Sequence, residues 1–291
     1  MKSYTFNEKP ARCAILMSGS GSNTEALLEF ERTVKSPFYR TVVLATDAPE
    51  SSRAREIAAK YALPLVEHDI KIFYSRHGEE SIKLDTPRRR ELREKWSEEF
   101  FAMIAPYTPD FACFAGFVPL SNIAKHLPCL NVHPGDLTCC NAEGVRIYAG
   151  LHVLPVERAI LNGESALRSS VILVQPYSGN GAKEMDEGPV MGVSAPVKVD
   201  LEGLTLEELE KCRTSRTPGV KCSDALRTLA LKHIERLKVE GDHVVFPQVV
   251  NDFAAGKFSV DGKKLFYEKT EVLSVEYSKE CRQRNLIPPN K

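Results

Sequence analysis

Short apolar runs alternate with amphipathic stretches over the first 130 residues. Arg12 to Met17 (RCAILM) is a compact apolar run, followed by Ser18-Gly-Ser-Gly-Ser-Asn23 and then by Thr24 to Phe30 with helical character. This reads as strand, glycine-rich turn, helix. Thr41 to Thr46 (TVVLAT) predicts a second strand. Ser51 to Tyr61 places Ala54, Ile57, Ala58 and Tyr61 at helical spacing, and Leu63 to Val66 predicts a third strand. Lys71 to Leu84 reads as polar and irregular. Thr86 can cap the next helix and Pro87 suits its first turn; its apolar stripe is Leu92, Trp96, Phe100, Met103 and Ile104.

Phe111 to Phe117 (FACFAGF) is continuously apolar, as a strand buried on both faces of a parallel sheet requires. Further strands are predicted at Leu127 to Val132, Ser169 to Val174 and Val190 to Val199, with a helix at Val156 to Asn162 stopped by Gly163. After Asp200 the pattern turns helical: Thr205 to Lys211, Cys222 to Val239, and His243 to Ala255 before Gly256. Lys257 to Tyr267 reads as a hairpin turning at Asp261-Gly262, and a polar tail follows from Glu271. Strand–helix alternation predicts an α/β chain built of βαβ units with a mostly parallel sheet, mixed at its far side.

Composition narrows the function. Lys plus Arg is 39 and Asp plus Glu is 39, so the net charge is zero. That removes the usual electrostatic reason to expect nucleic acid or a membrane surface as partner. No run approaches the ~20 apolar residues that span a bilayer. Met1 to Pro10 lacks an apolar signal core, which predicts a cytoplasmic protein. Eight scattered cysteines form no C-x-x-C pair and no zinc spacing, so reduced thiols and no metal are expected.

Three segments carry candidate chemistry. In Ser18 to Asn23, small residues let the backbone approach a ligand, and the helix start that follows favours an anion such as phosphate. The segment is neither a Walker A loop nor G-x-G-x-x-G, and taken alone it fits a plain capped turn equally well. Asn131-Val132-His133-Pro134 ends a buried strand, with Asn131 and His133 on one face by alternation. An amide can stabilise an oxyanion there and an imidazole can move a proton, although a strand-end His is more often bonded to backbone. Glu184-Met-Asp-Glu-Gly-Pro189 is an acidic turn of ordinary composition, and it gains chemical meaning only beside His133.

The order of these pieces resembles the folate-dependent formyltransferase family, and within it the branch that formylates glycinamide ribonucleotide in purine biosynthesis. Ser18 to Asn23 match S-G-x-G-S-N; Pro109-Asp110 and Ala115-Gly116-Phe117 match a P-D-apolar run ending in A-G-F; Asn131 to Pro134 match N-I-H-P. Gly150-Leu151-His152, Asn162-Gly163, the turn Met185 to Pro189, and His243 to Pro247 continue the match, over roughly residues 11 to 267.

The resemblance implies a Rossmann-like formyltransferase fold with helices on both faces of a mostly parallel central sheet. It divides the chain into a phosphate-binding half, 11–130, a folate and catalytic half with the terminal helices and hairpin, 131–267, and a tail, 268–291. It implies catalysis by Asn131, His133 and Asp186, and phosphate binding by Gly21, Ser22 and Asn23. Folate contacts fall on Phe117, Val118, Leu120, Lys183, Glu184, Met185 and Glu187, with Arg90 as the nearest match to a ligand-binding Arg in the preceding helix. 10-Formyltetrahydrofolate is the implied co-substrate, with no metal; the partners are small molecules, not nucleic acid or membrane, and nothing predicts the oligomeric state. A protonated His133 is expected to stabilise the oxyanion together with Asn131, and Asp186 to fix its tautomer.

Some residues depart from the family pattern. Gly135-Asp136-Leu137 follows the histidine motif, and an extra stretch, Cys139 to Arg146, precedes Tyr148-Ala-Gly150 at the edge of the expected site. Val118-Pro119 replaces the usual pair after A-G-F, Lys211 to Lys221 reads as an insertion, and Asp242 aligns with an acidic residue near the ribose. The competing readings are a sibling enzyme acting on a nucleotide sugar or methionyl-tRNA, a formyltetrahydrofolate hydrolase, and a non-catalytic folate- or nucleotide-binding module. Zero net charge disfavours tRNA. The hydrolase group resembles chains with an added N-terminal regulatory domain and a different first loop.

Overall fold

The computed structural model describes residues 1–151, 153–176, 186–217, 222–279 and 284–289. A short strand, β1 (Lys2–Ser3), precedes the first core strand β2 (Ala11–Met17), which leads into α1 (Ser22–Thr33). Then come β3 (Tyr39–Thr46), α2 (Ala54–Tyr61), β4 (Leu65–Glu67), α3 (Ile70–Arg76), α4 (Pro87–Ile104), β5 (Phe111–Phe114) and β6 (Cys129–His133). The second half adds α5 (Leu154–Leu161), β7 (Ala166–Leu167), β8 (Ser170–Leu173), β9 (Val190–Ser194), β10 (Val197–Lys198), α6 (Leu206–Thr214), α7 (Ala225–Leu237) and α8 (His243–Ala254). Five strands close the chain: β11 (Phe258–Asp261), β12 (Lys264–Tyr267), β13 (Thr270–Val272), β14 (Ser274–Tyr277) and β15 (Asn285–Ile287).

Among the described residues the main sheet has nine strands in the order β15-β14-β9-β8-β6-β5-β2-β3-β4. From β4 across to β6 every pair is parallel; β8 is antiparallel to both β6 and β9. This is the predicted α/β arrangement with a mixed far side. Alternation along β2 distributes its side chains to two cores. Cys13, Ile15 and Met17 meet α1, α2 and α8 through Leu27, Ile57, Val249 and Phe253. Ala14 and Leu16 meet α3 and α4 through Phe73, Tyr74, Trp96 and Phe100. A third cluster joins α5, α6 and α7 around Ile160, Leu209 and Leu229.

Four expectations change. The stretch read as irregular contains α3: the Asp69 carboxylate caps it by accepting from Lys71 N and Ile72 N, and Ile70, Phe73 and Tyr74 form a short buried stripe. The apolar run from Phe111 leaves the sheet after Phe114, because Gly116 turns at φ 75° and carries residues 115–120 outward as a loop. The strand from Val190 breaks at 195–196 into β9 and β10. Most of all, the stretch read as a polar tail is part of the sheet: β14 pairs parallel with β9, Val275 is fully buried, and the Tyr277 hydroxyl donates to the buried Asp252 carboxylate at 3.1 Å. Burying one face of a four-residue strand takes few apolar side chains, too few to stand out in a charged stretch.

Gly192 makes that strand pairing close. A Cβ there would lie 2.4 Å from Val249 Cγ2 and 2.7 Å from Tyr277 Cε2, far inside van der Waals contact. Gly192→Ala must displace the side chains of Val249 on α8 and Tyr277 on β14. We expect it to lower unfolding free energy by about 1–3 kcal/mol, read from the urea midpoint at unchanged m-value.

Candidate active site

Parallel strands β2, β5 and β6 end at the same edge, and the strand order reverses between β2 and β5, with β3 and β4 added on one side and β5 and β6 on the other. Open α/β sheets bind ligands at such a place. A cavity of about 1600 Å³ opens here, lined by residues 19–23 after β2, 114–120 after β5, 131–134 at the end of β6, and 186–189 before β9. Three segments singled out from the sequence, 170 residues apart between Gly19 and Pro189, therefore line one cavity.

Gly21 stands at the N-terminus of α1 in the left-handed region, φ 73°, and no side chain caps the helix. The first-turn N–H groups are left without intrahelical acceptors and border the cavity, as an anion site needs. The loop has no room to change: a Cβ on Gly21 would meet Ile57 Cδ1 at 2.3 Å and Met17 Cε at 2.8 Å. Ser22 and Asn23 also line the cavity. Arg53 steadies the turn from outside, its N–H donating to Gly19 O at 3.1 Å and its guanidinium to Ser20 O at 3.1 Å.

Asn131, His133 and Asp186 all line the same cavity. His133 is 4% exposed, and its Nε2 lies 2.8 Å from the Tyr148 carbonyl oxygen. A carbonyl only accepts, so Nε2 carries the proton and donates, which leaves Nδ1 as the site that gains or loses one. Burial pushes the imidazole pKa below its ordinary value; the Asp186 carboxylate opposes this and Arg146 reinforces it. Burial likewise raises the Asp186 pKa, against the pull of His133 and Arg146. Desolvation outweighs mutual attraction in both, so the resting imidazole is neutral. One expectation shifts: the Tyr148 carbonyl, not Asp186, sets the tautomer of the resting imidazole.

Of the residues assigned to folate, Phe117, Val118, Leu120 and Glu187 line the cavity. Lys183, Glu184 and Met185 lie outside the described residues. Arg90 is not among the lining side chains; its Nη1 donates to the Leu84 carbonyl at 3.0 Å, away from the site. One helical turn along, Arg93 is buried at 3% exposure and donates to the Leu120 carbonyl at 3.0 Å and the Ile82 carbonyl at 2.7 Å, holding the pocket loop from behind.

Sequence reasoning missed the role of Arg146, whose Nη2 donates to the Gly188 carbonyl at 2.7 Å and whose Nη1 donates to that of Asp186. Its only signal was its place in the extra stretch 139–146. Asp242 was marked by alignment alone. The structure places it at the end of a π-helical turn, Lys238–Asp242, that widens the entry to α8 and brings the carboxylate to the cavity wall. There it accepts from Asn23 Nδ2 at 3.1 Å and from Ser169 Oγ at 2.5 Å. Among the described residues, no group of three His, Cys, Asp or Glu side chains is placed to hold a metal ion.

No protein-family model matches the chain, and no curated protein matches it by sequence. Solved structures do match. Glycinamide ribonucleotide transformylase 1 from Symbiobacterium toebii aligns at TM-score 0.58 and 20% identity, over 88% of this chain and 93% of that one. A phosphoribosylglycinamide formyltransferase from Coxiella burnetii, in complex with CHES, aligns at TM-score 0.59 and 18% identity, over 91% and 96%. A formyltetrahydrofolate deformylase from Pseudomonas syringae pv. tomato aligns at TM-score 0.56 and 12% identity, over 90% of this chain and 66% of that one. The chain has the α/β Rossmann-like fold of these proteins.

Burial raises the Asp242 pKa from 3.8 to about 6. The folded state then binds the proton more tightly than the unfolded state between these values. Stability from this group is present below about pH 4 and is lost as pH rises through about 6, by at most about 3 kcal/mol. Asp242→Asn removes that slope. The difference in urea midpoint between variant and wild type should favour the variant more at pH 7 than at pH 4; a pH-independent difference would contradict this assignment.

Proposed function

We propose that the chain is a folate-dependent formyltransferase that moves the formyl group of 10-formyltetrahydrofolate to the primary amine of glycinamide ribonucleotide, a step of purine biosynthesis. The observation that carries this reading is the shared cavity: an uncapped helix start suited to a phosphate and the Asn131, His133, Asp186 group open on one space. Phe117, Val118 and Leu120 supply an apolar wall suited to a flat pterin. The structural likeness to the formyltransferases from Symbiobacterium toebii and Coxiella burnetii supports it. We infer a cytoplasmic setting for such an activity; no helix among the described residues is long and apolar enough to cross a membrane.

In this mechanism the first-turn N–H groups of α1 hold the acceptor phosphate and orient its amine toward β6. The amine nitrogen attacks the formyl carbon, and Asn131 donates to the oxyanion that develops. Neutral His133 takes the proton released by the amine at Nδ1, so that imidazolium forms next to Asp186 only as the intermediate forms. The carbon–nitrogen bond to the folate then breaks, and the proton passes to the departing folate nitrogen. Asp186 stabilises the transient imidazolium and relays the proton. No covalent enzyme intermediate is formed.

The deformylase likeness supports a second reading, in which water replaces the amine in the same steps. Incubating the purified chain with 10-formyltetrahydrofolate, with and without glycinamide ribonucleotide, separates the two. We expect loss of the folate formyl group only with the acceptor present and one formylated product per formyl lost. Equal loss without acceptor establishes the hydrolase. His133→Ala and Asp186→Asn should each slow transfer at least about a hundredfold, and the urea midpoint of the near-isosteric Asp186→Asn should stay close to wild type. Asn23→Ala should raise the acceptor KM more than the donor KM, and inorganic phosphate should compete with the acceptor only.

A further inference from the structure

The extra stretch 139–146 is built to return on itself. Asn141 N donates to the Val145 carbonyl at 2.9 Å, Val145 N to Asn141 Oδ1 at 2.8 Å, and Gly144 N to the Asn141 carbonyl at 3.0 Å. Cys140 and Arg146 pair as antiparallel neighbours, and Ile147 N closes the base on the Cys139 carbonyl at 3.1 Å. The excursion leaves the main path after one turn of chain and comes back with Arg146 in the cavity wall.

What Arg146 does there is specific. Its two terminal nitrogens donate to the carbonyls of Asp186 and Gly188, the two ends of one tight turn. Only a planar fork spans two carbonyls in this way; an ammonium has a single donor centre. The far side of the turn is already fixed, because Gly188 packs so closely on β8 that a Cβ would lie 1.8 Å from the Leu173 carbonyl oxygen. The turn is therefore held between the end of β8 and the guanidinium.

We propose that Arg146 is a positioning residue of the candidate active site, clamping the 186–188 turn so that the Asp186 carboxylate is presented to His133. The proposal rests on the reading that Asp186 takes part in formyl transfer. The clamp also carries charge: Arg146 and His133 oppose the burial that raises the Asp186 pKa, and Cys140, its antiparallel neighbour, and Glu187, next in the turn, are the other ionisable groups facing the guanidinium. Removing the cation therefore makes Asp186 harder to ionise.

The test compares wild type, Arg146→Lys and Arg146→Met. In formyl transfer, Arg146→Met should lower kcat by about a hundredfold, the cost of a misplacement near 1 Å, with the acceptor KM changed less than about threefold. The acid limb of its kcat/KM profile should move to higher pH, and Arg146→Lys should restore the limb while recovering only part of kcat. A second measurement needs no substrate: amide hydrogen exchange at Glu187, Gly188 and Val190 should be at least about tenfold faster in Arg146→Met, by local opening of the turn. Unchanged exchange together with kcat within twofold of wild type overturns the clamp. Faster exchange in a chain whose wild type transfers no formyl group leaves the clamp standing and removes the formyltransferase reading instead.

Discussion

Ser18 leaves the first core strand with its hydroxyl bonded twice, donating to Asp47 at 2.5 Å and accepting from Val118 N–H at 2.9 Å. Its own N–H reaches the Gly116 carbonyl at 3.2 Å. One small side chain thus ties together the loops that follow β2, β3 and β5. The uncapped turn before α1 cannot shift without the apolar pocket wall, and the two would hold the two substrates of the proposed reaction. Asp47 is nearly fully buried, and burial raises its pKa, so its hydrogen bond from Ser18 satisfies a group that water would otherwise claim.

The same tension between burial and charge runs through the cavity. His133 is pushed toward its neutral form, and Asp186 and Asp242 are pushed toward theirs, each because desolvation exceeds the help of its neighbours. The proposed reaction would use this in a particular way. A neutral imidazole with Nε2 committed to the Tyr148 carbonyl has one free proton site, and a carboxylate beside it becomes favourable at the moment a positive charge arrives. Asp242 has a different part: it joins Asn23 of α1 to Ser169 beside β8 and so sets the width of the cavity between the two halves of the chain.

The chain's local patterns determined a good deal. The apolar runs of β2, β3 and β5, the glycine turn before α1, the Asn131–His133 strand end and the acidic turn are each written in consecutive residues, because side-chain alternation and backbone turn chemistry act over a few positions. Parallel-sheet topology then required the loops after β2, β5 and β6 to meet. The pairing of Arg146 with the 186–188 turn, the Tyr148 carbonyl on His133, the 219-residue reach from Asn23 to Asp242, and the entry of β14 into the sheet were decided only by the tertiary structure. Arg90 and Arg93 make the point in small: both sit in one arginine-rich helix start, and only the packing of α4 against the Leu120 loop selects which one turns inward. Hydrogen bonds to carbonyls depend on position in space and leave no trace in residue type, since every residue carries the same carbonyl.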